Sequence, residues 1–113
     1  MHELSLAQSI ADATVRYADG RPVVDVRVRI GHFRQVVPDA LQFAWELLTA
    51  DSELEDTMLI VEHVPAVVRC GVCDARSTLE LPILACGACG ATEVVLESGD
   101  EFMIQTIDVA EVA

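Results

Sequence analysis

At 113 residues the chain has room for one ordinary domain, or for a small domain carrying a smaller module, and 52% hydrophobic residues suffice for a core. Nineteen acidic against seven basic side chains give a net charge of −12, a field that repels phosphate backbones and anionic lipid and so argues against nucleic-acid or membrane partners. No run of about 18 apolar residues could span a bilayer, and the start lacks the basic and apolar regions of a secretory leader.

The first periodic segment is LSLAQSIADATVRYA, residues 4–18, where Leu6, Ile10, Ala13 and Tyr17 fall on one helical face. Gly20 suits the left-handed position that ends a helix, and Pro22 blocks continuation. VVDVRVRIG then alternates: Val24, Val26, Val28 and Ile30 point one way, and Asp25, Arg27 and Arg29 the other, as in a half-exposed strand. Pro38 opens a second helix running to about Thr49, with Leu41, Ala44, Trp45 and Leu48 as its buried stripe. The acidic run 51–56 reads as a solvated loop, MLIVEHV (58–64) as a central strand closed by Pro65, and EFMIQTIDV (101–109) as a last strand. The expected fold class is α+β: a small three-stranded sheet with two helices, plus an inserted zinc-ribbon-like module with four cysteines.

All four cysteines lie in that insertion, as Cys70-Gly71-Val72-Cys73 and Cys86-Gly87-Ala88-Cys89. With neither span nor leader the expected compartment is cytoplasmic, where thiols stay reduced and doubled CxxC pairs mean metal more often than disulfides. Each pair offers two thiolates from one tight turn, and two such turns supply the tetrahedral S4 set of a structural Zn(II) site. Gly90 and Asp74 follow the second cysteine of each pair, where a residue tolerant of positive φ is needed. The 12-residue spacer allows two short strands and a turn. Four thiolates leave no open position for water or substrate, so the zinc is expected to support the fold.

The start, Met1-His2-Glu3, places an amine, an imidazole and a carboxylate within three residues. His2 is too large for the usual trimming of an initiator methionine, so Met1 is expected to remain. The amine, the His2 amide nitrogen and the imidazole can close a five- and a six-membered chelate ring. Three or four nitrogens in a plane suit Ni(II) or Cu(II) and suit zinc poorly. Glu3 has a second role open to it, since an acidic residue in a first turn complements the helix dipole. His32 and His63 stand alone in sequence and read as surface or packed residues. No Gly-rich phosphate loop, GxSxG or HExxH occurs and no acid–base pair suggests an active site, so no catalytic residue is assigned and no enzyme is expected.

MHELSLAQSI, VRIGHFRQVVPDALQFAWELLT, the two CxxC pairs and SGDEFMIQTIDV, in that order, resemble the HypA/HybF family of nickel metallochaperones in hydrogenase maturation. The resemblance implies a nickel-binding α/β domain with its first part at 1–64, a zinc-binding domain at 65–98, and a final strand at 99–113 completing the first. It implies nickel at Met1, His2 and Glu3 with His2 indispensable, and zinc at Cys70, Cys73, Cys86 and Cys89. It further implies delivery of Ni(II) as cargo to a hydrogenase large-subunit precursor, together with a nickel-handling maturation GTPase, and in some bacteria service to urease. Two departures stand out: Gly87 occupies a position where relatives often have Pro, and Glu55-Asp56-Thr57 replaces a Gly-containing stretch. A monomer or weak homodimer is expected. The alternative reading is a zinc-ribbon protein-interaction adaptor with no nickel role.

Overall fold

A computed structural model describes residues 2–81 and 83–110. Its elements in chain order are α1 (His2–Ala18), β1 (Val23–Gly31), a 3-10 turn (His32–Arg34), α2 (Pro38–Thr49), β2 (Met58–Val64), β3 (Ala66–Cys70), β4 (Arg76–Leu79), β5 (Val94–Ser98) and β6 (Phe102–Val109). Two three-stranded sheets form, in the orders β2-β1-β6 and β4-β3-β5, so β2 is an edge strand and not the central one expected from its apolar run. β1 takes the centre, and much of β2 is open to solvent, with Met58 64% exposed. Two helices with one small sheet, and a second sheet carrying the cysteines, make up the expected α+β architecture. The chain divides into two compact units, one within the spans Met1–Val28, Val36–Glu62 and Met103–Ala113, the other within Arg29–Gln35 and His63–Phe102.

In the first unit α1 packs on α2. The buried stripe of α1 is Ala7, Ile10, Ala11, Thr14 and Ala18, which corrects the expected Leu6, Ile10, Ala13 and Tyr17. Small side chains on this face permit close approach. Thr14 can join them because its hydroxyl donates to the Ile10 carbonyl at 2.7 Å and so is not itself left unpaired. Tyr17 stays 58% exposed, with the Arg21 guanidinium 5.3 Å from its ring centre. The helix ends where Asp19 and Gly20 turn left-handed, at φ 48° and 84°. Arg21 then donates to the carbonyls of Ala18 and Tyr17, each at 2.8 Å, satisfying groups the helix leaves open.

Helix α2 starts with Val37 as its N-cap and Pro38 in the first turn, where a missing N–H costs nothing. It buries Leu41, Ala44, Trp45 and Thr49, while Leu48 is only half-buried. Trp45 Nε1 donates to the Thr57 carbonyl at 3.0 Å, and Thr57 Oγ1 donates to the Val23 carbonyl at 2.9 Å. These two hydrogen bonds pair four polar groups within the core, tying α2 to the start of β2 and of β1. Strand β1 buries Val26, Val28 and Ile30 as its alternation demands, but at its first residues Val23 is buried and Val24 is 50% exposed. The acidic loop is solvated except for Leu54, which turns inward to 3% exposure.

The second sheet is antiparallel, with Val67 opposite Thr78 on β4 and Arg69 opposite Val95 on β5. A bulge between Val67 and Val68 shifts the β3–β5 register. Two strands were allowed for in the spacer between the cysteine pairs, whereas among the described residues it holds one, β4. The partner strands β3 and β5 flank the cysteine pairs instead. Gly99, at φ 110°, lies so close to Ala66 that a Cβ would overlap it, and a Cβ on Gly31 would run into the backbone of Gly99 and Asp100.

Candidate metal centres

The two cysteine turns are built alike. Cys70 N–H donates to the Ala75 carbonyl at 2.9 Å and Cys86 N–H to the Ala91 carbonyl at 2.8 Å. In return the carbonyls of Cys70 and Cys86 accept from Asp74 and Gly90, at 3.1 and 2.9 Å. Asp74 and Gly90 hold the positive φ that this closure requires, 61° and 75°. Inside each turn the first sulfur accepts two backbone N–H groups. Cys70 Sγ accepts from Val72 and Cys73, both at 3.3 Å, and Cys86 Sγ accepts from Ala88 and Cys89 at 3.3 and 3.4 Å. These donors stabilise thiolate, so both thiols are lowered, Cys86 to about 6 through the amides of Cys89 and Ala88. The second thiols go the other way. The Ala75 amide pulls Cys73 down, but hydrogen bonding with Cys86 and Cys89 and desolvation carry it up to about 12. Cys89 is likewise raised by Cys70 and Cys86, despite the Ala91 amide.

The four sulfurs lie within 4.8 Å of one another. Cys70 and Cys89 approach to 3.6 Å, as do Cys73 and Cys86, too far for disulfide bonds. A tetrahedral ZnS4 site, with Zn–S near 2.3 Å, needs sulfurs roughly 3.8 Å apart. The donor set and its spacing therefore suit an ion that takes four thiolates. Gly71 N–H donates to the Glu93 carbonyl at 2.7 Å, and Gly87 N–H donates to Ser77 Oγ at 3.0 Å. The second of these ties the knuckle to β4, a bond that proline at position 87 could not make.

His2 is the first residue of α1 and is exposed, while Met1 lies outside the described residues. Glu3, half-buried in the first turn, accepts the backbone N–H of Val37 through Oε2 at 3.3 Å. It thus satisfies the residue that caps α2, a role beyond the dipole complement expected of it. The first-turn amides of a helix have no partner within it, so a ligand at this end breaks no helical bond.

The two histidines read as solitary are not. His32, on the 3-10 turn, and His63, near the end of β2, approach to 3.2 Å between Nδ1 and Nε2. Thirty-one residues separate them in sequence and neither belongs to a motif, so only the fold brings them together.

Residues 1–109 match the family described as hydrogenase/urease nickel incorporation, metallochaperone, hypA. The chain is 38% identical over 109 residues to the hydrogenase maturation factor HypA of Geotalea uraniireducens, covering 96% of this chain and 99% of that one. It is 34% identical over 112 residues to the HypA of a Nostoc species, covering 99% and 98%. Among solved structures, that of the Ni metallochaperone HypA from Helicobacter pylori aligns with a TM-score of 0.65 at 19% identity, over 96% of this chain and 97% of that one, and so shares the fold. The match runs the length of the chain, through both the helix bearing His2 and the cysteine turns, and the chain belongs to the HypA family of nickel metallochaperones in hydrogenase maturation.

Proposed function

We propose that this metallochaperone carries Ni(II) at Met1, His2 and Glu3, while Cys70, Cys73, Cys86 and Cys89 hold a resident Zn(II). In this reading the nickel passes to the large-subunit precursor of a [NiFe]-hydrogenase in the cytoplasm, with a nickel-handling GTPase of the same pathway taking part. The protein is a carrier and performs no catalysis. The observation that carries the reading is the exposed His2 at the very head of α1, in a chain of this family. Cargo must be released, and a site at a solvent-facing helix start exchanges ligands without disturbing packing. The two metals would be sorted by donor chemistry. Nitrogen donors in a plane suit Ni(II), whereas four thiolates in a closed tetrahedron suit Zn(II) and leave it no open position. Bound zinc would supply a fixed crosslink between the two cysteine turns.

Nickel titration of zinc-loaded protein tests the proposal, using the native N-terminus, His2→Ala, and a form with one extra residue before Met1. Tight binding with the absorption of planar, diamagnetic Ni(II) is expected only for the first, with zinc retained in all three. Planar nickel in all three forms alike would place the cargo elsewhere.

A further inference from the structure

We propose that His32 and His63 form a separate binding site for a first-row divalent transition ion. The argument begins with the proton on His32. Its Nε2 lies 2.6 Å from the Glu80 carbonyl oxygen, which can only accept, so Nε2 carries a hydrogen. In the neutral ring Nδ1 then presents a lone pair, and it faces His63 Nε2 at 3.2 Å. With no ion present, His63 fills the gap by donating its own Nε2 hydrogen. Moving that hydrogen to His63 Nδ1, a change of tautomer with no change of charge, turns both facing nitrogens into donors to a single ion.

The geometry suits such an ion. Two nitrogens 3.2 Å apart, each about 2.0–2.1 Å from a metal, subtend roughly 100° at it, between the square-planar and tetrahedral angles. The rings stand at 87° with centres 5.3 Å apart, so neither covers the other's lone pair. An imidazole that ligates through one nitrogen and donates from the other to a backbone carbonyl is the usual arrangement of a metal-bound histidine, and Glu80 supplies that carbonyl. The turn bearing His32 is also fixed. Gly31 N–H donates to the Glu101 carbonyl at 2.7 Å, and Phe33 N–H to the Gly99 carbonyl at 2.8 Å. His63 is exposed and His32 half-exposed, leaving other positions on the ion to water. Imidazole donors select Ni(II), Cu(II) or Zn(II) over Mg(II) and Ca(II), and a net charge of −12 raises the local concentration of any cation.

The test uses Ni(II) alone, added to zinc-loaded protein carrying His2→Ala so that the N-terminal site does not contribute. One equivalent is expected to bind in paramagnetic form, broadening the ring proton resonances of His32 and His63. Adding His32→Gln or His63→Gln should lower the affinity at least about tenfold, with zinc content unchanged. Uptake unaffected by either substitution, or no uptake at all, overturns the proposal and reduces the pair to a hydrogen bond. Planar nickel at the native N-terminus is a separate signal, so either site can fail without the other.

Discussion

Asp25 on β1 and Asp108 on β6 illustrate how much a single carboxyl can do. The hydrogen bond between them needs a proton, and together with desolvation and the charge of Asp108 it raises Asp25 above its ordinary 3.8, against the pull of Arg27. Among the described residues Asp25 Oδ1 is buried without a hydrogen-bond partner, which adds to the cost of charging it. The folded state therefore holds its proton longer than the unfolded chain, and stability falls as pH rises from 3.8 through the raised value. Asp25→Asn, whose amide can donate to Asp108 at any pH, should raise Tm at neutral pH and match the parent near about pH 3. Glu101 behaves oppositely. Desolvation pushes its carboxyl up, but its own N–H, those of Gly99 and Asp100, and the Arg29 charge outweigh this and leave it below 4.5. The Gly99 N–H bond to Oε1, at 2.7 Å, is one of these contacts. That stability is present above 4.5 and is lost as pH falls through the lowered value, so Glu101→Gln should lower Tm at neutral pH and converge with the parent in acid.

At the scale of elements, the join between helix and strand rests on Trp45. Its ring is 3% exposed and its indole N–H ends on the Thr57 carbonyl. Trp45→Phe removes that donor and some volume, leaving a buried carbonyl without its bond, and should cost about 1–3 kcal/mol in urea unfolding. Trp45→Ala should cost about 3–5 kcal/mol, because a cavity is added. In the second unit the tight point is the approach of Gly31, Gly99 and Ala66. Gly99→Ala adds a side chain at φ 110° where Ala66 already stands, a backbone penalty of about 1–3 kcal/mol before any overlap. Loss of amide-exchange protection along β3 and β5 would report it, and an unchanged exchange pattern would mean the strands can part without cost.

For the molecule as a whole, the four-sulfur cluster carries the greatest weight. The β4-β3-β5 sheet has short strands, and its largest fully buried side chain is Val68. So small a core needs a crosslink, and a structural zinc site contributes on the order of 10–16 kcal/mol at neutral pH in small modules. If the cysteines hold zinc as proposed, removing it with a chelator, or Cys70→Ser, should therefore unfold β3–β5, seen as lost amide protection at Val67–Cys70 and Val94–Ser98. Zinc content unchanged in Cys70→Ser would contradict the four-cysteine assignment. Because the ligands must bind as thiolates, the proposed zinc should also be lost progressively in acid.

Local rules were enough for much of this protein. Proline at the start of α2, Gly20 after α1 and alternation in β1 each act within a few residues, and those elements stand where the rules put them, whereas the apolar run of β2 marked a strand but not its place, which is the sheet's edge and not its centre. The cysteine spacing likewise forecast the shared geometry of the turns, including positive φ at Asp74 and Gly90, because a CxxC loop has few ways to close. Which face of α1 is buried was not legible. Periodicity pointed to Leu6, Ile10, Ala13 and Tyr17, whereas the burial of Ala7, Ile10, Ala11, Thr14 and Ala18 depends on how closely α2 can approach. The membership of 29–35 in the cysteine-bearing unit, Glu3 on the Val37 amide and the meeting of His32 with His63 were equally out of reach. Each joins residues more than thirty positions apart or turns on packing between distant segments, and only the closed fold brings such groups within a few ångströms.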